Sequence, residues 1–142
     1  MTAKRKAGSC LITNPSCGEI TKSLDTEFVD AIFNEKDMFQ YSPIVFFTKN
    51  RYSTSYLFEK LVENGVTICN GFTNPSQDEA IAFRLDDRIQ EDIVTQEQLI
   101  LILDSAKENR KTIFLITHTS IINMELIGRL RARLLSGVYA EI

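Results

Sequence analysis

From residue 44 to the C-terminus, short apolar runs alternate with longer segments of helical periodicity, and this alternation restricts the chain more than any other feature. Ile44 to Phe47, just after Pro43, is a continuous β-branched and aromatic run of the kind buried on both faces of a sheet. Ser53 to Glu63 places Tyr56, Leu57, Leu61 and Val62 at helical spacing and is stopped by Asn64-Gly65. Strands are predicted at Val66 to Cys69 and, beyond the turn-rich stretch Gly71 to Ser76, at Ala80 to Leu85. A helix over Thr95 to Asn109 has Leu99, Ile102, Leu103 and Ala106 on one face. The strand Thr112 to Thr117, a helix from Met124 to Leu135 stopped by Gly137, and a closing strand Val138 to Ile142 complete the series. Upstream, Leu24, Phe28, Val29, Ile32 and Phe33 predict a short helix ending near Glu35, with Ser23, Thr26 and Glu27 as capping chemistry. Strands that alternate with helices are joined by crossovers and lie parallel, so the expected fold is a Rossmann-like, three-layer αβα sandwich on a mainly parallel sheet.

At 142 residues, 44% of them apolar and nine of them Phe, the chain can build one core. Residues 1–22 mix Lys, Gly, Ser, Pro and Asn with few apolar positions and read as a flexible or loosely docked arm, leaving 23–142 as the domain. A net charge of −3 gives no general attraction to nucleic-acid backbones or anionic membranes. The basic start Lys4, Arg5 and Lys6 leads into a run too short and polar for a signal peptide, and no later run is long enough to span a bilayer, so a cytoplasmic location is expected. Cys10, Cys17 and Cys69 are odd in number and lack metal-ligand spacing beside a single histidine; they read as reduced thiols, with no bound metal expected.

Three stretches, in order, resemble the AAA+ core of the DnaA family, which includes Hda and the helicase loader DnaC. Tyr41 to Leu57 resembles the strand, phosphate-binding loop and following helix. Phe83-Arg-Leu-Asp-Asp-Arg-Ile-Gln90 with Thr95-Gln-Glu-Gln-Leu99 is similar to the acidic strand end and the helix after it. Thr112 to Ser120, leading to Leu126-Ile-Gly-Arg-Leu-Arg-Ala-Arg-Leu-Leu-Ser-Gly137 and Val138 to Ile142, resembles the sensor strand, the arginine-finger helix and the closing strand. Together they span about residues 41 to 142. The resemblance implies a P-loop NTPase-like sheet in which the loop strand lies between the acidic-pair strand and the sensor strand.

Several departures from that pattern point away from a nucleotide-driven motor. A working phosphate loop uses glycines for backbone approach, a lysine for the terminal phosphates and a Ser or Thr hydroxyl on Mg²⁺. The corresponding positions read Thr48, Ser53, Thr54 and Ser55, so both glycines and the lysine are lost and only the Ser55 hydroxyl remains; Lys49 and Arg51 are charges without an amide cradle. No bound ATP or Mg²⁺ is therefore expected, and Asp86-Asp87 reads as a relic acidic pair or a solvated turn capped by Arg84 and Arg88. Thr117 and His118 occupy the sensor-like position. Arg129, Arg131 and Arg133 share a helix, and the resemblance implies that Arg133 is the arginine finger, able to serve a neighbour's nucleotide; the plain alternative is a basic helix end that suits the helix dipole. The chain also ends directly after the closing strand, where the family continues into a helical lid and, in initiators, a DNA-binding helix-turn-helix, and Gly71 to Ala80 is shorter than the family's usual insertion.

The expectation is thus a non-catalytic, Hda-like regulatory domain that binds a protein partner, an AAA+ replication protein or itself, through the surface around Arg129 to Arg133 and the degenerate loop, without sequence-specific DNA binding or a membrane. Gln98-Leu-Ile-Leu-Ile-Leu103, superficially similar to a sliding-clamp motif, reads as core packing. Two other classes remain: a small Rossmann-like enzyme using Cys69 or Asp86-Asp87 at the strand ends, marked by a deep pocket there, and a structural dimerisation module, marked by a large apolar patch.

Overall fold

The computed structural model describes residues 10–13, 29–31, 33–34, 43–49, 51–72 and 80–142. Six strands, β1 (Cys10–Thr13), β2 (Ile44–Phe47), β3 (Thr67–Ile68), β4 (Ala80–Leu85), β5 (Thr112–Thr117) and β6 (Val138–Glu141), form one sheet in the order β1-β6-β2-β5-β4-β3, and every pairing is parallel. Helices α1 (Arg51–Glu63), α2 (Ile93–Glu108) and α3 (Gly128–Leu134) connect them.

Parallel crossovers must lie on the faces of the sheet, so its central strands are covered on both sides and read as continuous apolar runs. Along β2 the side chains alternate accordingly. Ile44 and Phe46 point into a cluster with Val29, Phe33, Leu57 and Leu61 of the helical residues on one face. Val45 and Phe47 point into a second cluster with Leu99, Leu103, Leu130 and Leu134 of α2 and α3 on the other. The result is the expected three-layer αβα arrangement. Phe46 and Phe114 stack across β2 and β5 at 6.2 Å, and Phe33 lies 6.1 and 6.3 Å from them. Helix α1 ends at Gly65 in the left-handed region (φ 79°), with Gly65 N–H donating to the Val62 carbonyl and Val66 N–H to that of Leu61. This terminator drives the buried Val66 onto the buried Leu61. Gly137 is needed for closeness rather than torsion, because a Cβ there would collide with the Pro43 carbonyl that receives the Val138 N–H.

Several expectations are corrected. The sensor strand β5, not the loop strand β2, is central: β5 stands between β2 and the acidic-pair strand β4, and β2 pairs with β6 on its other side. Strand β1 falls inside residues 1–22, where only an arm was expected; Cys10-Leu-Ile-Thr13 is too short to stand out among polar neighbours, and its pairing with β6 supplies the order that local sequence does not. The rest of that segment, Cys17 included, lies outside the described residues. Of the helix predicted from Leu24 to Glu35, residues 29–31 and 33–34 are described and helical. The last helix begins at Gly128 rather than Met124. Met124 is extended (φ −82°, ψ 140°) after a 3-10 turn over Ile121–Asn123, and Ile127 (ψ 135°) precedes α3, so Met124 and Ile121 reach the core without a helix although their spacing fits one. The strand predicted over Val66 to Cys69 is reduced to Thr67–Ile68.

Candidate functional site

In open parallel sheets, ligands bind beyond the carboxyl ends of the strands, where successive crossovers leave in opposite directions. Here that point lies between β2 and β5. The chain leaves β2 through α1 toward β3 on one side, and leaves β5 through α3 toward β6 on the other, with α1 and α3 on opposite faces. Thr48, Asp86-Asp87, Thr117 and His118 are all carried to this edge by β2, β4 and β5.

The crevice between β2 and β5 is crossed by the protein's own hydrogen bonds. Thr48 N–H donates to the Thr117 carbonyl at 3.0 Å. His118 Nδ1 lies 2.7 Å from the Thr48 carbonyl oxygen, and its Nε2 lies 3.2 Å from an Arg84 guanidinium nitrogen. A carbonyl only accepts and a guanidinium only donates, so this geometry fits a neutral ring protonated on Nδ1. The histidine therefore ties the start of the β2–α1 connection to β4 across the end of β5. Thr48 Oγ1 is 3.3 Å from Thr54 Oγ1 inside α1.

The connection itself is short. Only residues 48–50 separate β2 from α1, whereas a G-x-x-x-x-G-K-[ST] loop has four residues between its glycines alone. Ser55 lies one full turn inside α1 and is exposed, while Ser53 is buried; neither hydroxyl stands at the helix start. Lys49 lies over the Phe47 ring, 5.4 Å from its centre, and Arg51 is exposed.

The acidic pair is organised differently. Asp86 caps a 3-10 turn over Asp87–Glu91 by accepting the Arg88 N–H at 2.9 Å, and the Arg88 guanidinium lies 3.7 Å from the same carboxylate. Asp87 accepts the Thr119 hydroxyl at 2.7 Å. Arg88 thus meets the pair as expected, but Arg84 turns to His118. Beside these residues a cleft of about 470 Å³ is lined by Asn70, Arg84, Leu85, Asp86, Asp87, Ile116 and His118. A second, of about 360 Å³, continues past Phe72, Phe83, Arg88, Ile89, Asp92 and Thr95. Asp92 closes it by capping α2, and the Thr95 hydroxyl and backbone N–H hold its carboxyl below the usual carboxylate range.

Four residues outside the sequence expectations frame this edge. Buried Gln96 donates to the Ile89 carbonyl (2.7 Å) and accepts the Ile127 N–H (2.8 Å), linking the acidic turn to the approach to α3. Gln90 accepts the Glu125 N–H at 2.7 Å. Tyr139, buried in β6, meets the Ser120 hydroxyl at 2.8 Å and accepts the Ile121 N–H at 3.2 Å, pinning the segment after His118. Thr119 supplies the bond to Asp87 already described. The signal for Gln96 was available: it shares the buried face of Leu99, Leu103 and Ala106. Nothing in a Val-Tyr-Ala strand marks Tyr139 as a bridge.

Arg133 of α3 is elsewhere. Helix α3 runs from the segment after β5 back to the start of β6, so Arg133 lies toward the N-terminal edge of the sheet, away from the residue 48–50 connection. Its Nε donates to Asp104 of α2 at 2.7 Å, and this partner raises its pKa. Arg131 donates to the Met124 carbonyl, and its Nε is buried without a partner among the described residues. Arg129 is exposed. Cys69 is half-buried at the β3 edge, its N–H donating to the Ala82 carbonyl. No group of three or more His, Cys, Asp or Glu side chains converges among the described residues, and no helix there is long and apolar enough to cross a membrane.

The same fold occurs in solved replication proteins. Domain III of the Thermotoga maritima replication initiation protein DnaA superposes with a TM-score of 0.62 over 91% of this chain and 68% of that one, at 11% identity. The chain has a DnaA-like AAA+ fold. A DNA replication initiation factor gives a TM-score of 0.55 at 15% identity, over 88% of this chain and 48% of that one. The replication initiator DnaA bound to AMPPCP and single-stranded DNA gives 0.53 at 15% identity, over 82% and 44%. The chain thus spans about half or less of the length of the latter two. No family model matches the chain, and no curated protein matches it in sequence.

Proposed function

We propose that this chain is a DnaA/Hda-like accessory domain that acts by binding a protein partner in the control of replication initiation, without turning over ATP. The observation that carries the nucleotide half of this reading is the closed β2–β5 crevice. The Thr48 N–H and carbonyl, which begin the connection where a phosphate loop would open, are both engaged, by the Thr117 carbonyl and by His118. A three-residue connection without glycine lacks the glycine-rich run whose backbone wraps a phosphate in a P-loop. Lys49 and Arg51 could attract an anion only as point charges in solvent, where such attraction is weak and screened.

The replication half rests on the fold shared with DnaA. The partner is an AAA+ replication protein or a second copy. On α3 the exposed Arg129 is better placed to meet it than Arg133, which must first leave Asp104. A second reading, a small enzyme working at Asp86-Asp87, draws on the cleft beside them.

Thermal unfolding with and without excess ATP and Mg²⁺ tests the first reading, because a ligand that binds only the folded state at a hundred times its Kd adds about 2.7 kcal/mol. The midpoint is expected to stay where it is. A rise that grows with ATP and disappears in Asp86→Asn would instead support the second reading.

A further inference from the structure

Helix α2 carries the wrong chemistry for its outer face. Its buried side is Gln96, Leu99, Ile100, Ile102, Leu103 and Ala106; at about 100° per residue, the centre of the opposite, solvent side is Leu101. A surface helix ordinarily places charge there. Instead Leu101 is 69% exposed, and Val94, two turns earlier on the same line, is 66% exposed beside Ile93 at 61%. Core packing therefore accounts for the other apolar residues of Gln98 to Leu103 but not for Leu101.

The charge around this stripe selects among occupants. Glu97 and Glu108 flank Leu101 at helical spacing and form no ion pair among the described residues, while Asp104 is occupied by Arg133. A second copy docked through the same face about a two-fold axis would bring two acidic rims together. A helix with apolar residues at i, i+3 or i+4, and i+7, flanked by Lys or Arg, would cover the stripe and neutralise its rim.

We infer that the outer face of α2, with Val94 and Leu101 at its centre and Glu97 and Glu108 at its rim, docks a basic amphipathic helix of a partner protein. This deepens the partner-binding reading by naming the surface and the partner's chemistry, and it does not depend on whether the strand-end crevice takes nucleotide.

The test uses the whole chain and two fluorescent amphipathic peptides of about 18 residues, long enough to be helical, with the same leucine spacing: one with lysine flanks, one with glutamate flanks. Saturable binding of the leucine/lysine peptide is expected, weakened about tenfold by Leu101→Ser and similarly by the pair Glu97→Lys and Glu108→Lys, with no binding of the leucine/glutamate peptide. Both changes are on the surface, and unfolding curves check that the variants stay folded. Equal binding of both peptides, binding that ignores the substitutions, or no binding at all overturns the inference. So does a sedimenting dimer that Leu101→Ser converts to monomer, which would make a second copy the occupant. The ATP melt of the unmodified chain reads the nucleotide reading separately, so either can fail alone.

Discussion

Two neighbouring parts of one sheet edge have been treated differently by the chain. Between β2 and β5 the backbone groups at the strand ends are bonded to each other and to His118, and the connection that follows is three residues long. Beside β4, Asp86, Asp87 and Arg84 line an open cleft with carboxylates still facing solvent. A site for a triphosphate needs both parts, one for the phosphates and one for the metal and water. In this chain an acidic rim lies beside strand ends that are bonded to each other.

The contrast can be broken from either side. Gln96→Leu removes a buried amide that links the acidic turn to the approach to α3, leaving the Ile127 N–H unsatisfied while the Ile89 carbonyl keeps the Asp92 N–H; a loss of about 1–3 kcal/mol is expected in denaturant melts. Because Gln96 touches neither Thr48 nor His118, hydrogen exchange at the Thr48 amide, measured relative to global unfolding, should be unaffected. Tyr139→Phe acts on the sealed side, stranding the Ser120 hydroxyl and the Ile121 N–H, with about 1–2 kcal/mol lost. An effect below the error of the melt would show that water replaces the phenol.

Asp92 sharpens the comparison through pH. Its carboxyl titrates lower in the folded chain than its ordinary 3.8, so its contribution is present above that value and disappears as acid carries the pH through the folded value. The melting temperature of Asp92→Asn should fall below the parent's near neutrality, and the gap should close as the pH is taken down below 3.8. A constant gap across that range would remove the carboxylate from the account. The smallest effect is expected for Asp86→Asn and Asp87→Asn, each within about 0.5 kcal/mol, since the amide keeps an oxygen for the Arg88 N–H or the Thr119 hydroxyl.

The layers of the fold were legible because buried parallel strands must be apolar on both faces: Ile44–Phe47, Ala80–Leu85 and Thr112–Thr117 are strands over the predicted residues. Strand order was not legible. β2 and β5 are separated by two strands and two helices in sequence, and no local pattern says which neighbours which. β1 escaped notice for the same reason, its pairing with β6 joining opposite ends of the chain. At the site, the residue types pointed to the right edge, since Thr48, Asp87 and His118 do converge there through Thr119 and Thr117. The role of His118 was hidden, because a histidine at a strand end carries no mark of the carbonyl it will meet. Arg133 could not be assigned from its spacing either, since its partner Asp104 lies on another helix.

The most direct test of the sealed crevice is an amide-resolved NMR titration of the chain with ATP and Mg²⁺. The account predicts that the amides of Thr48, Lys49 and Arg51 to Ser55 keep their positions and that the Thr48 amide exchanges slowly, as befits its bond to Thr117. Saturable shifts across those residues, with the Thr48 amide losing protection as ATP is added, would contradict it.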